Sequence, residues 1–337
     1  MYKYNDLNVS TKMTRVAVFG STGQIGSSVV RALVNSSHQV VQIVRPQSEA
    51  KAKNASERVT TITLDPLNAS IDELASALQK VEVVVCALNG KALEAQSKIQ
   101  DAADRAGVKR FYPSEYGMHH VYTDEKGYGV LHPVRKPPSG QTDSQTWNMK
   151  TEANFKALHH PAIAAGRMSY TLIGCGDLYN QDREKTWCPW TQRDLPSYTL
   201  HILGDADAPI DFTHIDDLAS FITATIENPN VSKNRTLNFV SDRITYNELV
   251  SLWKKKSGKE VKKVVYPIEA MHRAWRNPND IPEEVRGKSA FPDDFWMLVK
   301  GMQGLGRFWR PPGEVHNDSF PVEVTTFEKY FDSLFGS

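Results

Sequence analysis

At 337 residues with 40% hydrophobic content, the chain can bury a substantial core in one large domain or two modest ones. Lys and Arg (40) nearly cancel Asp and Glu (39), and the formal net charge of +1 excludes a general electrostatic attraction for nucleic acid or an anionic membrane surface. Cys86, Cys175 and Cys188 are the only cysteines and show no CxxC or Cys/His ligand spacing, which speaks against a disulfide framework and a metal centre and for a reducing compartment.

The first residues, MYKYNDLNVSTKMTR, lack the apolar core of a signal peptide, and no apolar run approaches the roughly 18 residues of a membrane-spanning helix. A soluble cytosolic protein is expected. From Arg15 onward short β-branched runs alternate with helical segments, the pattern of a parallel sheet covered on both faces. RVAVFG reads as the first strand, STGQIGSSVVRALVNSS sets Ile25, Val29, Val30 and Leu33 at helical spacing, and HQVVQIVR returns to strand. The beat continues through VTTITL, the helix SIDELASALQK, the strand VEVVVCAL, the helix KALEAQSKIQDAADRAG and the strand VKRFYP. TWNMKTEANFKALHH then reads as a helix and MSYTLIGCG as a sixth strand. The predicted fold is α/β: a Rossmann-type doubly wound parallel sheet over residues 14–175, then a smaller α+β substrate domain over 176–337, with segments near 210–240 free to return to the sheet.

Gly20, Gly23 and Gly26 in VFGSTGQIG stand at GxxGxxG spacing between a strand and a helix. The first permits a tight turn, the second lets backbone N–H groups approach a pyrophosphate, and the third lets helix and strand pack closely. Thr22, Gln24 and Ile25 in the same turn, and Asn89 just past the fourth strand, join them as candidate coenzyme contacts. A purely structural turn is the alternative. At the end of the second strand an NAD enzyme normally carries Asp or Glu; here IVRPQSEAKAK supplies Arg45, with Lys51 or Lys53 as a second cation. A guanidinium suits a 2′-phosphate, so NADP(H) is the expected coenzyme.

FYPSEYG, residues 111–117, ends the fifth strand. Pro113 has no N–H with which to continue a ladder, so Ser114, Glu115 and Tyr116 fall at the carboxyl edge where open α/β sheets bind ligands. Ser114 is a candidate contact to the nicotinamide ribose or carboxamide. Glu115 is either structural support or a catalytic carboxylate, and Tyr116 either a packing residue or a proton donor and substrate contact. His119, also a candidate substrate contact, and His120 stand at the mouth of a long Gly-, Pro- and charge-rich loop over 118–145, as a proton relay or as solvent-exposed residues. In DFTHIDD, His214 is an anchor between domains or a catalytic group, and Asp216 is placed to cap the following helix. Phe295, Trp296, Leu298 and Val299 form an apolar face that is core, pocket wall or dimer surface, which leaves a homodimer open.

With GSTGQIG, Arg45, PSEYG, NMKTEANFK, DFTHIDD and TLNFVSDRITYNELV in view, the chain resembles the NmrA-like and isoflavone-reductase-like branch of the atypical short-chain dehydrogenases over nearly its whole length. Classical short-chain dehydrogenases use Tyr-x-x-x-Lys; here Thr146 takes the tyrosine's place ahead of Lys150. The resemblance implies that Lys150 itself acts near the nicotinamide, as general acid or base or by holding the ribose, with burial lowering its pKa. It also implies that the substrate pocket begins in DLYNQDREKTWCPWTQRD, with Tyr179, Asn180 and Trp187 as contacts. Trp187 and Trp190 are pocket walls or core residues, and Cys188 has no basic neighbour to activate it. The expected activity is NADPH-dependent reduction of a small aromatic or polyketide-like metabolite; an NADP(H)-sensing protein without turnover, or an isomerase or dehydratase, would use the same scaffold.

Overall fold

Alternate residues of the first strand, β1 (Arg15–Phe19), feed two different cores: Val16 and Val18 enter one cluster, Ala17 and Phe19 the other. A strand apolar on both faces must be covered on both, which is why the sequence alternates strand and helix. The computed structural model describes residues 13–52, 56–118, 145–289 and 291–336. The chain runs on through α1 (Gln24–Asn35), β2 (Gln39–Val44), β3 (Val59–Thr63), α2 (Ile71–Ala77), β4 (Val83–Cys86), α3 (Gln96–Arg105), β5 (Arg110–Tyr112), α4 (Gln145–Leu158), α5 (Pro161–Ala164) and β6 (Ser169–Gly174). It continues with β7 (Asp177–Leu178), β8 (Ser197–Leu203), β9 (Ile210–Thr213), α6 (Ile215–Glu227), α7 (Pro229–Ser232), β10 (Arg235–Asn238), β11 (Asp242–Ile244), α8 (Tyr246–Ser257), β12 (Glu260–Tyr266), α9 (Glu269–Arg276), α10 (Asp293–Gly304) and α11 (Phe327–Phe335).

Among the described residues, a 7-stranded sheet has the order β10-β6-β5-β4-β1-β2-β3, with every pairing parallel. Val16 pairs Val40 on one side and Val83 on the other, so strand order reverses between β1 and β4, and a crevice opens at their carboxyl ends. Helices α1 and α6 pack together over one face, and α2, α3 and α4 cover the other. The return of α6 and β10 to this sheet is held by Arg110 at the start of β5, whose buried guanidinium donates to the Thr225 carbonyl in the last turn of α6 at 2.9 Å. A cation at a helix C-terminus meets the negative end of the helix dipole there. The helix expected from Lys91 begins instead as a 3-10 turn over Gly90–Ala95 and becomes α-helical only at Gln96.

The rest of the chain builds a smaller layer from the parallel pair β8–β12 and the sheet β11-β9-β7. Its core is aromatic: Trp190 meets Trp253 edge to face at 5.6 Å and Phe327 at 5.4 Å. Trp296 and Leu298 of α10 are buried in this core. Among the described residues no helix is long and apolar enough to cross a membrane.

The three glycines of the first turn answer to different neighbours. A Cβ on Gly20, at φ +79°, would lie 2.2 Å from the Ala87 carbonyl oxygen, and one on Gly26 would lie 2.1 Å from the Gly20 oxygen. A Cβ on Gly23 would meet only the Gly20 oxygen, at 3.3 Å. Gly26→Ala should therefore destabilise the fold by about 2 kcal/mol or more. Gly23→Ala should cost less than about 1 kcal/mol. Thermal melts of the two variants check this, and equal losses would contradict it.

Candidate active site

Two adjoining cavities lie over the crevice. One, of about 320 Å³, is lined by Gly20, Thr22, Arg45, Ser48 and Asp65 among others. The second, of about 330 Å³, extends toward the smaller layer past Gln24, Ile25, Lys150, Asp177 and Trp187. Gly23, Ala87, Leu88, Asn89 and Arg183 line both. Sequence candidates from the glycine turn, the second strand's end and the fourth strand's end are thus brought around one continuous cleft.

Gly23 is the N-cap of α1, with no side-chain cap and no acidic residue in the first turn. The unpaired N–H groups and positive dipole end of this helix therefore face the cleft, where an anionic group satisfies both. A Cβ at Gly23 would crowd only the Gly20 oxygen, by a few tenths of an ångström, so glycine at this position answers less to internal packing than Gly20 or Gly26 and matches the close approach of a phosphate. Arg45 follows β2, is exposed, and makes no ion pair among the described residues. Lys53 and the side chain of Lys51 lie outside the described residues. A dinucleotide with a third phosphate fits this donor set: helix amides for the pyrophosphate and a guanidinium for the outer phosphate.

The turn after β5 is held from two sides. Ser114 Oγ accepts from Leu88 N at 2.8 Å and donates to Leu88 O at 2.6 Å, while Ser114 N donates to Gln96 Oε1 at 2.7 Å. Ser114 borders the second cavity, and its hydroxyl also latches β5 to the end of β4. Glu115 is fully buried; its carboxylate accepts from Asn154 Nδ2 at 2.6 Å, and its carbonyl accepts from Lys150 Nζ at 2.9 Å. Two side chains of α4 thus dock on one residue of the β5 turn. Lys150 is 9% exposed and lines the second cavity. Burial lowers its pKa, and the neighbouring Glu115 carboxylate works in the other direction.

Tyr116 sits at φ +50°, its N–H donating to Ile173 O at 3.1 Å. It borders the cavity, yet its ring belongs to the core cluster with Tyr112, Ile173 and Cys175, and its buried hydroxyl has no hydrogen-bond partner among the described residues. Burial pushes the phenol's pKa well above its ordinary value, which makes it a poor proton shuttle. His119 and His120 lie outside the described residues.

On the smaller layer's wall, the two tryptophans divide. Trp187 lines the second cavity together with Phe291, Phe295, Val299 and Phe308, whereas Trp190 is core, donating Nε1 to Tyr179 O at 2.8 Å. Tyr179 and Asn180, expected as substrate contacts, do not line it. The Tyr179 hydroxyl donates to Thr325 O, and Asn180 accepts from Ile215 N at 2.8 Å while contacting His214 Nε2 at 2.9 Å. His214 is itself the N-cap of α6, accepting from Asp216 N at 3.3 Å. Asp216 is therefore not the cap; its carboxylate binds Ser28 at 2.7 Å and Arg31 at 2.5 Å on α1. Cys188 is buried and its thiol pKa is raised, as befits an inert side chain. The wall's polar groups are instead Asp177, Gln181, Arg183 and Glu184, which sequence reading passed over. An aspartate inside the otherwise small and apolar GCGDL, just past a buried strand, was the available signal.

The NmrA-like family profile matches residues 12–132 and 178–295 of the chain. Pinoresinol reductase 1 of Arabidopsis thaliana is 30% identical over 274 residues, covering 75% of this chain and 77% of the relative. Phenylcoumaran benzylic ether reductase PT1 of Pinus taeda is 26% identical over 338 residues, covering 95% and 98%. Among solved structures, AtPrR2 with NADP+ and (+)pinoresinol has a TM-score of 0.69 at 23% identity, covering 96% of this chain and 99% of that one. The binary complex of leucoanthocyanidin reductase with NADPH from Vitis vinifera has a TM-score of 0.67 at 18% identity, covering 96% and 100%. The structures speak for the Rossmann-type fold, and the sequence matches go further: the chain belongs to the NmrA-like family.

Proposed function

We propose that the protein is an NADPH-dependent reductase of a small aromatic or polyketide-like metabolite, with Lys150 assisting proton transfer. The observation that carries this reading is the shared cleft, in which an uncapped helix N-terminus, an exposed guanidinium and a buried lysine line adjoining cavities. Relatives named as reductases of pinoresinol and of phenylcoumaran benzylic ethers support the same class.

When bound, the reduced nicotinamide supplies a hydride to an electron-poor carbon of the substrate. The chain's own part is to hold charge and move a proton. The α1 amides and Arg183, which lines both cavities, counter the pyrophosphate, and Arg45 counters the 2′-phosphate. Lys150 Nζ, steadied by the Glu115 carbonyl, gives its proton to the substrate oxygen that gains negative charge. The amine it leaves is tolerated because burial already disfavours the ammonium form. Trp187, Phe291 and Phe295 offer flat apolar surface to an aromatic substrate and exclude water from the reacting bond. NADPH oxidation followed against a panel of phenolic, quinone and polyketide ketones tests the whole; tight coenzyme binding with no turnover anywhere in the panel would count against reduction.

Arg45→Glu is expected to weaken NADPH by at least about tenfold while changing NADH little, as read by calorimetry. Equal losses would remove the role of this guanidinium. Lys150→Met, assayed at saturating coenzyme, is expected to lower kcat by about 100-fold, the lower end of what general acid catalysis contributes. Since burial lowers the Lys150 pKa, its proton-donating form disappears as pH rises through a value below the ordinary 10.5. The reduction rate should fall on that alkaline limb, and the inflection should be missing in Lys150→Met. Tyr116→Phe, which removes a hydroxyl with no partner among the described residues, should keep turnover and leave the melting temperature equal or higher.

A further inference from the structure

We infer that Asp177 is a hydrogen-bond-accepting subsite for a phenolic hydroxyl of the substrate. This rests on reading the second cavity as the substrate cavity, and it adds a recognition group on the smaller layer's wall, separate from the proton-transfer group Lys150.

Asp177 opens β7 and is 8% exposed, and it lines the cavity. Its Oδ2 accepts from Gln303 Nε2 at 2.7 Å and from Lys300 Nζ at 3.2 Å. Lys300, 3% exposed on α10, also donates to the Tyr246 hydroxyl at 3.0 Å, and that hydroxyl donates to Gln303 Oε1. Four polar side chains from three elements, β7, α8 and α10, thus close a buried ring around one carboxylate oxygen. The other oxygen, Oδ1, has no hydrogen-bond partner among the described residues. A carboxylate on a side chain nine-tenths buried, with one oxygen left open at a cavity wall, is an acceptor awaiting a donor.

The neighbours define the donor. Lys300 is desolvated, but Tyr246 and Asp177 together hold its pKa above the ordinary lysine range, so it stays charged and neutralises the carboxylate. A cationic ligand therefore finds a pair already balanced, whereas a neutral O–H gains a charge-assisted hydrogen bond. The adjacent wall is flat and aromatic: Trp187 carries Lys300 Nζ 4.8 Å from its ring centroid and packs against Phe291 and Phe295. An aryl ring on this wall with its hydroxyl toward Asp177 meets both features, and an O-methylated ring offers no proton.

The test is calorimetry on NADP+-saturated protein with two matched pairs, (+)-pinoresinol against its di-O-methyl ether and 4-hydroxyacetophenone against 4-methoxyacetophenone. At least one free phenol should bind the wild type about tenfold or more tightly than its ether, the scale of one hydrogen bond to a charged group. Asp177→Leu combined with Lys300→Met replaces the ion pair by apolar residues of similar volume and should bring the ratio to within about twofold. Asp177→Asn keeps the shape; with its amide oxygen held by Lys300 and Gln303, it turns an N–H₂ toward the open position and should favour the ether. If the double variant melts below the assay temperature, Asp177→Asn decides alone. Equal binding within both wild-type pairs, no binding of any probe, or a phenol preference that survives Asp177→Asn overturns the subsite. Failure of the protein to take up NADP+ in the first titration would instead overturn the coenzyme reading, so the two failures are distinguishable.

Discussion

Helix α1 starts directly over the end of β1 because Gly20 and Gly26 leave nothing between them but main chain. The rest of the site depends on this approach. It brings unpaired helix amides to the carboxyl edge of the sheet beside the point where strand order reverses, and it fixes the distance from those amides to the ends of β4 and β5. A helix displaced by one side chain's width would carry its positive end away from the crevice and would widen the seam that Gly23, Leu88 and Asn89 share between the two cavities.

The second constraint is the turn after β5. Pro113 stops the ladder, Ser114 ties the turn to Leu88, and Glu115 receives both Asn154 and Lys150 from α4. Lys150 is therefore positioned by main chain on one side and by its own helix on the other. Glu115, which looks from its type like an acid or base, acts here through its carbonyl and through a fully buried carboxylate. Its role is to hold α4 against the sheet.

Two buried lysines border this region and are tuned in opposite directions. Lys150 leans on a neutral carbonyl, so desolvation prevails and the ammonium is weakened. Lys300 leans on a carboxylate and a phenol, which outweigh the same desolvation. The chemistry follows from the partner, since the charge that each lysine loses to burial is restored only where a full negative charge lies in contact. One lysine is suited to releasing a proton and the other to holding a carboxylate in place.

The strand pattern alone determined the α/β class, because side-chain periodicity is local: runs such as VAVF and VVVC alternate nothing polar and must be buried on both faces. The glycine spacing and the NmrA-like segments were equally local and could be read in one dimension. The inward-facing residues of the smaller layer were not. In the short stretch from Asp177 to Gln181, Asp177, Leu178 and Gln181 line the cavity while Tyr179 and Asn180 turn to Thr325 and to the start of α6. Only the packing of β7 against β9, with α10 and α11 closing around it, decides which of five neighbouring side chains meets a ligand. That packing joins residues more than a hundred positions apart, such as Asp177 with Lys300, and local pattern has no term for such a contact.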